Sequence, residues 1–409
     1  MKYFEDSKSV LKLKGFHYVL LILLALMNSA AGLATPIPKQ ERIGNVEPVA
    51  QIRGAMPTGV AVSSTGRIFI NYPRWGDEVE FTVGEIVNGK PVAYPNKKLN
   101  QQGNRETQSQ RIVSAQSVVI DPTGSTLWIV DTGSIRPLPI SYGGPKLIAI
   151  DLKTNQVSRT IMIDESVLDS ETYLNDVRFL MAAGTAGYAF ITDSSSNGGI
   201  IVVDLDTGEN WRRLGKTRFT MSDPEFYPVV EAEILMVREK GKKAKRFNVG
   251  SDGIAVSADG KTLYFRALTS RHLYSVSTES LINRAVNEQA LQTMVVDHGQ
   301  VGGASDGLEA DSLGRIYLTD YEHNAIHRYS RSVESVQTIV FSPEVIWPDS
   351  LSLADDGYLY FTANQLNRQQ IFHNGADRRI QPYMVFRIKI DGKPIRRAQD
   401  AISQGGQSQ

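Results

Sequence analysis

The chain has 409 residues, 44 Lys and Arg against 44 Asp and Glu, and no cysteine. Zero net charge removes the long-range field that draws proteins to nucleic acid, and the lack of cysteine excludes disulfides, thiolate nucleophiles and Cys-ligated metals. With 41% hydrophobic and 22% charged residues, the composition is that of a folded globular protein rather than a disordered chain or a polytopic membrane protein.

The first element is an export signal over residues 1–34. Lys2, Lys8, Lys12 and Lys14 stand against Glu5 and Asp6 (4 − 2 = +2), the apolar block 19–27 follows, and Ser29, Ala30, Ala31, Gly32 and Ala34 supply small residues for cleavage. The block is short for a membrane span. An uncleaved anchor is the alternative. Cleavage leaves 40 basic and 42 acidic residues and predicts a secreted or periplasmic protein, the lack of cysteine suiting the periplasm. Beyond that signal no stable membrane partner is expected.

From residue 58 onward one unit recurs: a polar anchor, alternating apolar residues, a turn glycine eight residues after the anchor, and then an apolar or aromatic run. The anchor and glycine pairs are Thr58 with Gly66, Gln116 with Gly124, Asp252 with Gly260, Asp306 with Gly314 and Asp349 with Gly357. A sixth copy starts at Asn175, and its Gly184 comes one residue late. Period-two apolar spacing around such a turn is the signature of an antiparallel hairpin. Further strand-like runs follow most hairpins, so the pattern predicts an all-β, six-bladed β-propeller with four antiparallel strands per blade, one domain over residues 35–409. The run 383–390 is expected to pair with residues near 46–52 and close the ring, since an open blade would leave bare sheet edges.

Propeller geometry places the starts of first strands and the ends of second strands at one mouth of the central channel. Thr58, Gln116, Asn175, Asp252, Asp306 and Asp349 should therefore converge there. Asp131, Asp193 and Asp320, with Asn71 and Asn364 close by, are expected to form a second polar ring at that mouth. Carboxylates crowded around a narrow channel raise one another's pKa unless a cation balances them. Ca²⁺, held by Asn175, Asp252 and Asp306, and a protonated amine on an organic ligand are the two alternatives. The same residues could instead simply cap strands and turns. Asp121, Asp259, Asp311 and Asp356 belong to the glycine turns and are given no functional role. The basic stretch 238–246 is expected to be a solvated loop, and the pair His323 and His327 straddles a turn. There is no nucleophile elbow, phosphate-cradling loop or His-Glu-x-x-His motif.

The stretches 116–133, 174–179, 189–194 and 252–265 resemble the major royal jelly protein/yellow family, and the likeness covers about residues 110–395. The resemblance implies a secreted six-bladed propeller whose central cavity takes small aromatic or amine ligands. Some members are held to be dopachrome-converting, tautomerase-like enzymes. Lacking the cysteines of the insect members, this chain looks like a bacterial relative. It is more distantly similar to gluconolactonase/regucalcin-type propellers, whose metal site implies Glu, two Asn and Asp at strand starts. Here Asn175 and Asp306 match in type, Asp252 stands where Asn is usual, and Thr58 replaces the Glu.

Two functional expectations follow. In the first, a small cyclic or aromatic ligand binds at the anchor mouth, with Thr58, Gln116, Asn175, Asp349, Asp131, Asp193, Asp320 and Asn364 around it. Asp252 or Asp306 then moves a proton in an isomerisation. In the second the protein is a binding module without turnover. A metal-dependent, lactonase-like hydrolase is a third alternative.

Overall fold

The structure, a computed structural model, describes residues 41–104, 106–136, 140 and 143–396; the expected signal at 1–34 lies outside them. The described residues are built around six four-stranded antiparallel sheets. Strand β1 (Glu47–Ile52) belongs to the last blade. The first blade is β2 (Val60–Val62), β3 (Ile68–Asn71), β4 (Val83–Val87) and β5 (Lys90–Ala93). The second is β6 (Ala115–Ile120), β7 (Thr126–Thr132), β8 (Pro145–Asp151) and β9 (Gln156–Met162), and the third is β10 (Leu174–Leu180), β11 (Tyr188–Asp193), β12 (Ile200–Asp204) and β13 (Asn210–Arg213).

Between the third and fourth blades the chain makes two small ribbons, β14 (Val229–Val230) with β15 (Glu233–Ile234), and β16 (Met236–Val237) with β17 (Lys245–Arg246). The basic stretch 238–246 is thus the loop of a hairpin and its short return strand, exposed over residues 240–245 as expected of a solvated loop. The fourth blade is β18 (Ser251–Val256), β19 (Thr262–Ala267), β20 (His272–Ser277) and β21 (Val296–Gln300). Two short helices, α1 (Thr278–Ile282) and α2 (Glu288–Thr293), link β20 to β21. The fifth is β22 (Leu308–Ala310), β23 (Arg315–Asp320), β24 (Ala325–Ser330) and β25 (Ser335–Phe341). The last is β26 (Pro348–Leu353), β27 (Tyr358–Ala363) and β28 (Tyr383–Lys389), completed by β1, with Ile52 opposite Tyr383. The expected ring closure is therefore present: the innermost strands β2, β6, β10, β18, β22 and β26 touch in cyclic order.

The apolar core is divided into six clusters, one between each pair of neighbouring blades. Middle strands such as β7, covered by a blade on each side, are buried along nearly their whole length, which is why their sequences read as continuous apolar runs. The recurring aromatic of the second strand packs between sheets, with Trp128 5.0 Å from Phe179 of the next blade. It also fastens its own turn: Trp128 Nε1 donates to Asp121 at 3.1 Å, Tyr317 to Asp311 at 2.9 Å and Tyr360 to Asp356 at 2.8 Å. These three turn carboxylates are structural, as expected.

Candidate functional site

Four of the six anchors sit at a register shift in the innermost strand: Gln116 in β6, Asn175 in β10, Asp252 in β18 and Asp349 in β26. A bulge inserts an extra residue and re-aims side chains, here toward the axis. The main chain of three anchors is held by a side chain of the preceding blade. Thr192 Oγ1 donates to the carbonyl of Asp252 at 2.8 Å, Thr362 Oγ1 to that of Thr58 at 2.7 Å, and Asn71 Nδ2 to that of Gln116 at 2.8 Å. The glycine after two anchors is part of the same arrangement. A Cβ on Gly253 would stand 2.6 Å from the Asp306 carbonyl oxygen, and one on Gly307 would stand 2.3 Å from that of Asp349. These glycines admit the next blade's backbone rather than a turn.

The anchors gather four carboxyls near the axis: Asp252, Asp306, Asp349 and, one residue past Asn175, Asp176. Asp252, Asp306 and Asp349 keep 5–8% exposure, so they face residual channel space, whereas Asp131 and Asp193 are at 0%. Burial, followed by the charges of Asp306, Asp349 and Asp176, pushes the Asp252 carboxyl well above the carboxylate range. Burial likewise raises Asp306 to about 7, against the opposing hydrogen bonds from Trp347 and Asp252, and it raises Asp349. Each of Asp252 and Asp306 also acts on the other as a hydrogen-bond partner, which raises Asp252 and lowers Asp306. Two carboxyls can do so only by sharing a proton.

Each of the others has a distinct partner. Trp347 Nε1 donates to Asp306 Oδ2 at 2.6 Å, and Asn364 Nδ2 to Asp349 Oδ2 at 2.6 Å. Asp176 accepts from Ser117 at 2.7 Å and carries its own counter-ion, Arg178, at 3.0 Å. Arg178 also reaches toward Glu309 at 3.7 Å, nearer the far end of the channel. There a cavity of about 80 Å³, lined by Val118, Arg178, Val256 and Glu309 among others, is crossed by Pro394 and Arg396, the latter paired with Asp355 at 2.9 Å.

Aromatic residues surround the acidic end. Tyr173, two residues before Asn175, donates to Gln116 Oε1 at 2.8 Å and accepts from Trp75 Nε1 at 2.7 Å. The Arg136 guanidinium lies 3.8 Å from the Tyr173 ring centroid. Burial pushes the Tyr173 hydroxyl up to about 12, opposed by Arg136. Trp347, two residues before Asp349, stacks on Tyr321 at 4.1 Å and meets Phe247, from the excursion before the fourth blade, edge-on at 6.5 Å. The Asn175 amide makes no hydrogen bond among the described residues.

The second ring is not a ligand shell. Asp131 accepts from the backbone of Val113, Ser114 and Gly133 and from Lys146 Nζ at 2.7 Å. Asp193 accepts from the backbone of Tyr173 and Ser195 and from Arg212 at 2.7 Å. Asp320 accepts from the backbone of Glu322 and His323 and lies 2.8 and 2.9 Å from nitrogens of His323 and His327. Each ties together loops of its own blade, with its lone pairs already taken up. Thr58 is likewise engaged, donating to the Gln116 carbonyl at 3.1 Å and accepting from Asn71 at 2.8 Å, while Asn364 serves by orienting Asp349.

Among the described residues, no group of three or more His, Asp or Glu is arranged to hold a metal ion. The anchor set of Asn175, Asp252 and Asp306 does not fit Ca²⁺: Asp306 Oδ2 is already taken by an indole N–H, and no three carboxylates or imidazoles converge on one point there among the described residues. The regucalcin-type Glu is absent at Thr58.

The family profile described as "Major royal jelly protein" matches residues 113–391. This chain belongs to the major royal jelly protein family. It is 26% identical over 270 residues to major royal jelly protein 3 of Apis mellifera, covering 60% of this chain and 45% of that protein. With major royal jelly protein 7 of the same species the identity is 27% over 187 residues, covering 44% of this chain and 39% of the relative. The chain thus spans less than half the length of these relatives. Among solved structures it is similar to a luciferin-regenerating enzyme (13% identity, 86% of this chain and 98% of that one, TM-score 0.51). It is also similar to a candidate gluconolactonase (11% identity, 89% and 99% coverage, TM-score 0.51). At these identities the likeness shows the propeller fold.

Proposed function

We propose that this royal jelly family propeller binds a small cyclic or aromatic molecule, with an amine or another polarised group, at the acidic end of its channel and isomerises it by proton transfer. The observation that carries the reading is the Asp252 and Asp306 pair. One carboxyl of such a pair is a base and the other an acid at the same pH, which is what a tautomerisation needs. A proton leaves the substrate for one carboxyl, the bonding pair moves into the conjugated system, and the other carboxyl delivers its proton to a different ring atom. Passage of a proton across the shared hydrogen bond restores the pair, so no oxidant or cofactor is consumed.

Gln116, Asn175 and Asp349 supply polar contacts, with Tyr173 and Trp347 packed behind them. The leader at residues 1–34 makes this an exported protein in our reading. Turnover of dopachrome-like substrates by wild type, Asp252→Asn and Asp306→Asn tests the proposal: both variants should lose at least about 100-fold in kcat, and unchanged kinetics would overturn it. A binding role without turnover is the second reading. It is favoured by the lack, among the described residues, of a cation paired with Asp252, Asp306 or Asp349, which an ammonium ligand would provide. A thermal shift with catechols or indolamines and no product distinguishes it.

A further inference from the structure

Trp347 is fully buried, yet its backbone lies in the left-handed region at φ 53°. That conformation is an outlier for a bulky residue and persists only where the surroundings impose it. Asn364 N–H donates to the Trp347 carbonyl at 3.2 Å, the indole lies 11° from parallel with Tyr321, and the Tyr321 hydroxyl is itself fastened to the Leu268 carbonyl at 2.7 Å. The product of this strain and stacking is one contact, the indole N–H on Asp306 Oδ2.

An indole N–H can only donate, so that oxygen must present a lone pair. Asp252 has no other donor on its carboxyl among the described residues, so a proton shared by the two is favoured on its side. Asp349 is oriented by Asn364 and Asp176 by Arg178, so neither competes for the indole. We propose that Trp347 is a positioning residue that fixes the direction of proton sharing, holding Asp306 as the base and leaving Asp252 as the acid. This assignment rests on the proton-transfer reading above for its catalytic meaning, but not for its physical content. The charged and titratable groups around the pair are Asp349, Asp176 with its partner Arg178, Tyr321 beside Asp306 and Tyr173 beside Asp252. Asp176 acts on both carboxyls with the same sign, so it does not choose between them.

The test uses ligand-free protein first. In carboxyl ¹³C NMR, with Asp306 assigned through Asp306→Asn, the change Trp347→Phe keeps a six-membered ring against Tyr321 and removes the donor. The apparent Asp306 titration should move up by about one pH unit, and an unmoved titration overturns the proposal. If the variant does not fold, wild type still decides. The Trp347 indole N–H resonance, one of four, should shift far downfield and follow pH with a midpoint near that of Asp306. A resonance indifferent to pH between about 5 and 9 overturns it. In turnover, Trp347→Phe should lower kcat about tenfold with little change in KM and carry the acid limb to higher pH. If wild type turns over nothing while the titration moves as expected, the catalytic reading fails and the positioning role stands. The converse result separates them the other way.

Discussion

Lys146 Nζ and Asp131 Oδ2 meet at 2.7 Å with both side chains fully shielded from solvent. Removing one member of such a pair strands the other charge, so Lys146→Met should cost about 3–5 kcal/mol of unfolding free energy, read from urea denaturation. The pair Lys97 and Glu80, whose side chains are 80% and 72% exposed, is the control. Loss of its Lys97 should leave the urea midpoint nearly unchanged.

Gly307→Ala places a methyl 2.3 Å from the Asp349 carbonyl oxygen. Backbone cannot swing aside as a flexible side chain can, so we expect a loss of about 1–3 kcal/mol or more, with Gly253→Ala showing the same sign. A melting temperature equal to wild type in both would mean that the blades do not approach as closely as described.

The acidic cluster gives an unusual pH dependence. Asp306 has a folded-state pKa raised by burial to about 7 from an ordinary 3.8, so the folded chain takes up a proton there before the unfolded chain does. Its contribution is full below about pH 4 and is lost as pH rises through 7. Melting temperature should therefore rise on acidification from about pH 8 to pH 5. Asp306→Asn should flatten that slope. Asp320, held below the ordinary carboxylate range by hydrogen bonds from His323 and His327 that outweigh its burial, acts oppositely, but only at pH below the ordinary carboxylate value.

Tyr173→Phe leaves Trp75 Nε1 and Gln116 Oε1 without the hydroxyl between them. A drop of about 1–3 kcal/mol in stability is expected, together with weaker binding of an aromatic amine by calorimetry. Loss of stability with intact affinity would place the ligand away from Gln116.

Much of this architecture is legible in the chain. The anchor-to-glycine spacing specifies six hairpins, and the run at 383–390 announces its pairing with β1. The outer strands of the first blade were not anticipated, although Asn88 and Gly89, both at positive φ, form the Asn-Gly turn that marks β4 and β5 as a hairpin. The anchors converge as expected. Which neighbours matter does not follow from spacing, because a bulge brings in Asp176 beside Asn175, and Tyr173 and Trp347 act from two residues ahead of their anchors. That shared offset was a usable signal. The second ring was misjudged because position alone does not reveal that Lys146 and His327, from third strands, and Arg212, from a fourth, claim its carboxylates.

The contacts at Gly253 and Gly307 have a consequence for how such a protein changes. Since the bore of the ring is gauged by main-chain carbonyls seated on glycine, its wall and its lining are separate inventions. The six anchor side chains can be exchanged, as Thr, Gln, Asn and Asp already are around one circle, while the diameter stays constant. The chemistry at the axis is thereby open to drift within a frame that does not deform to accommodate it.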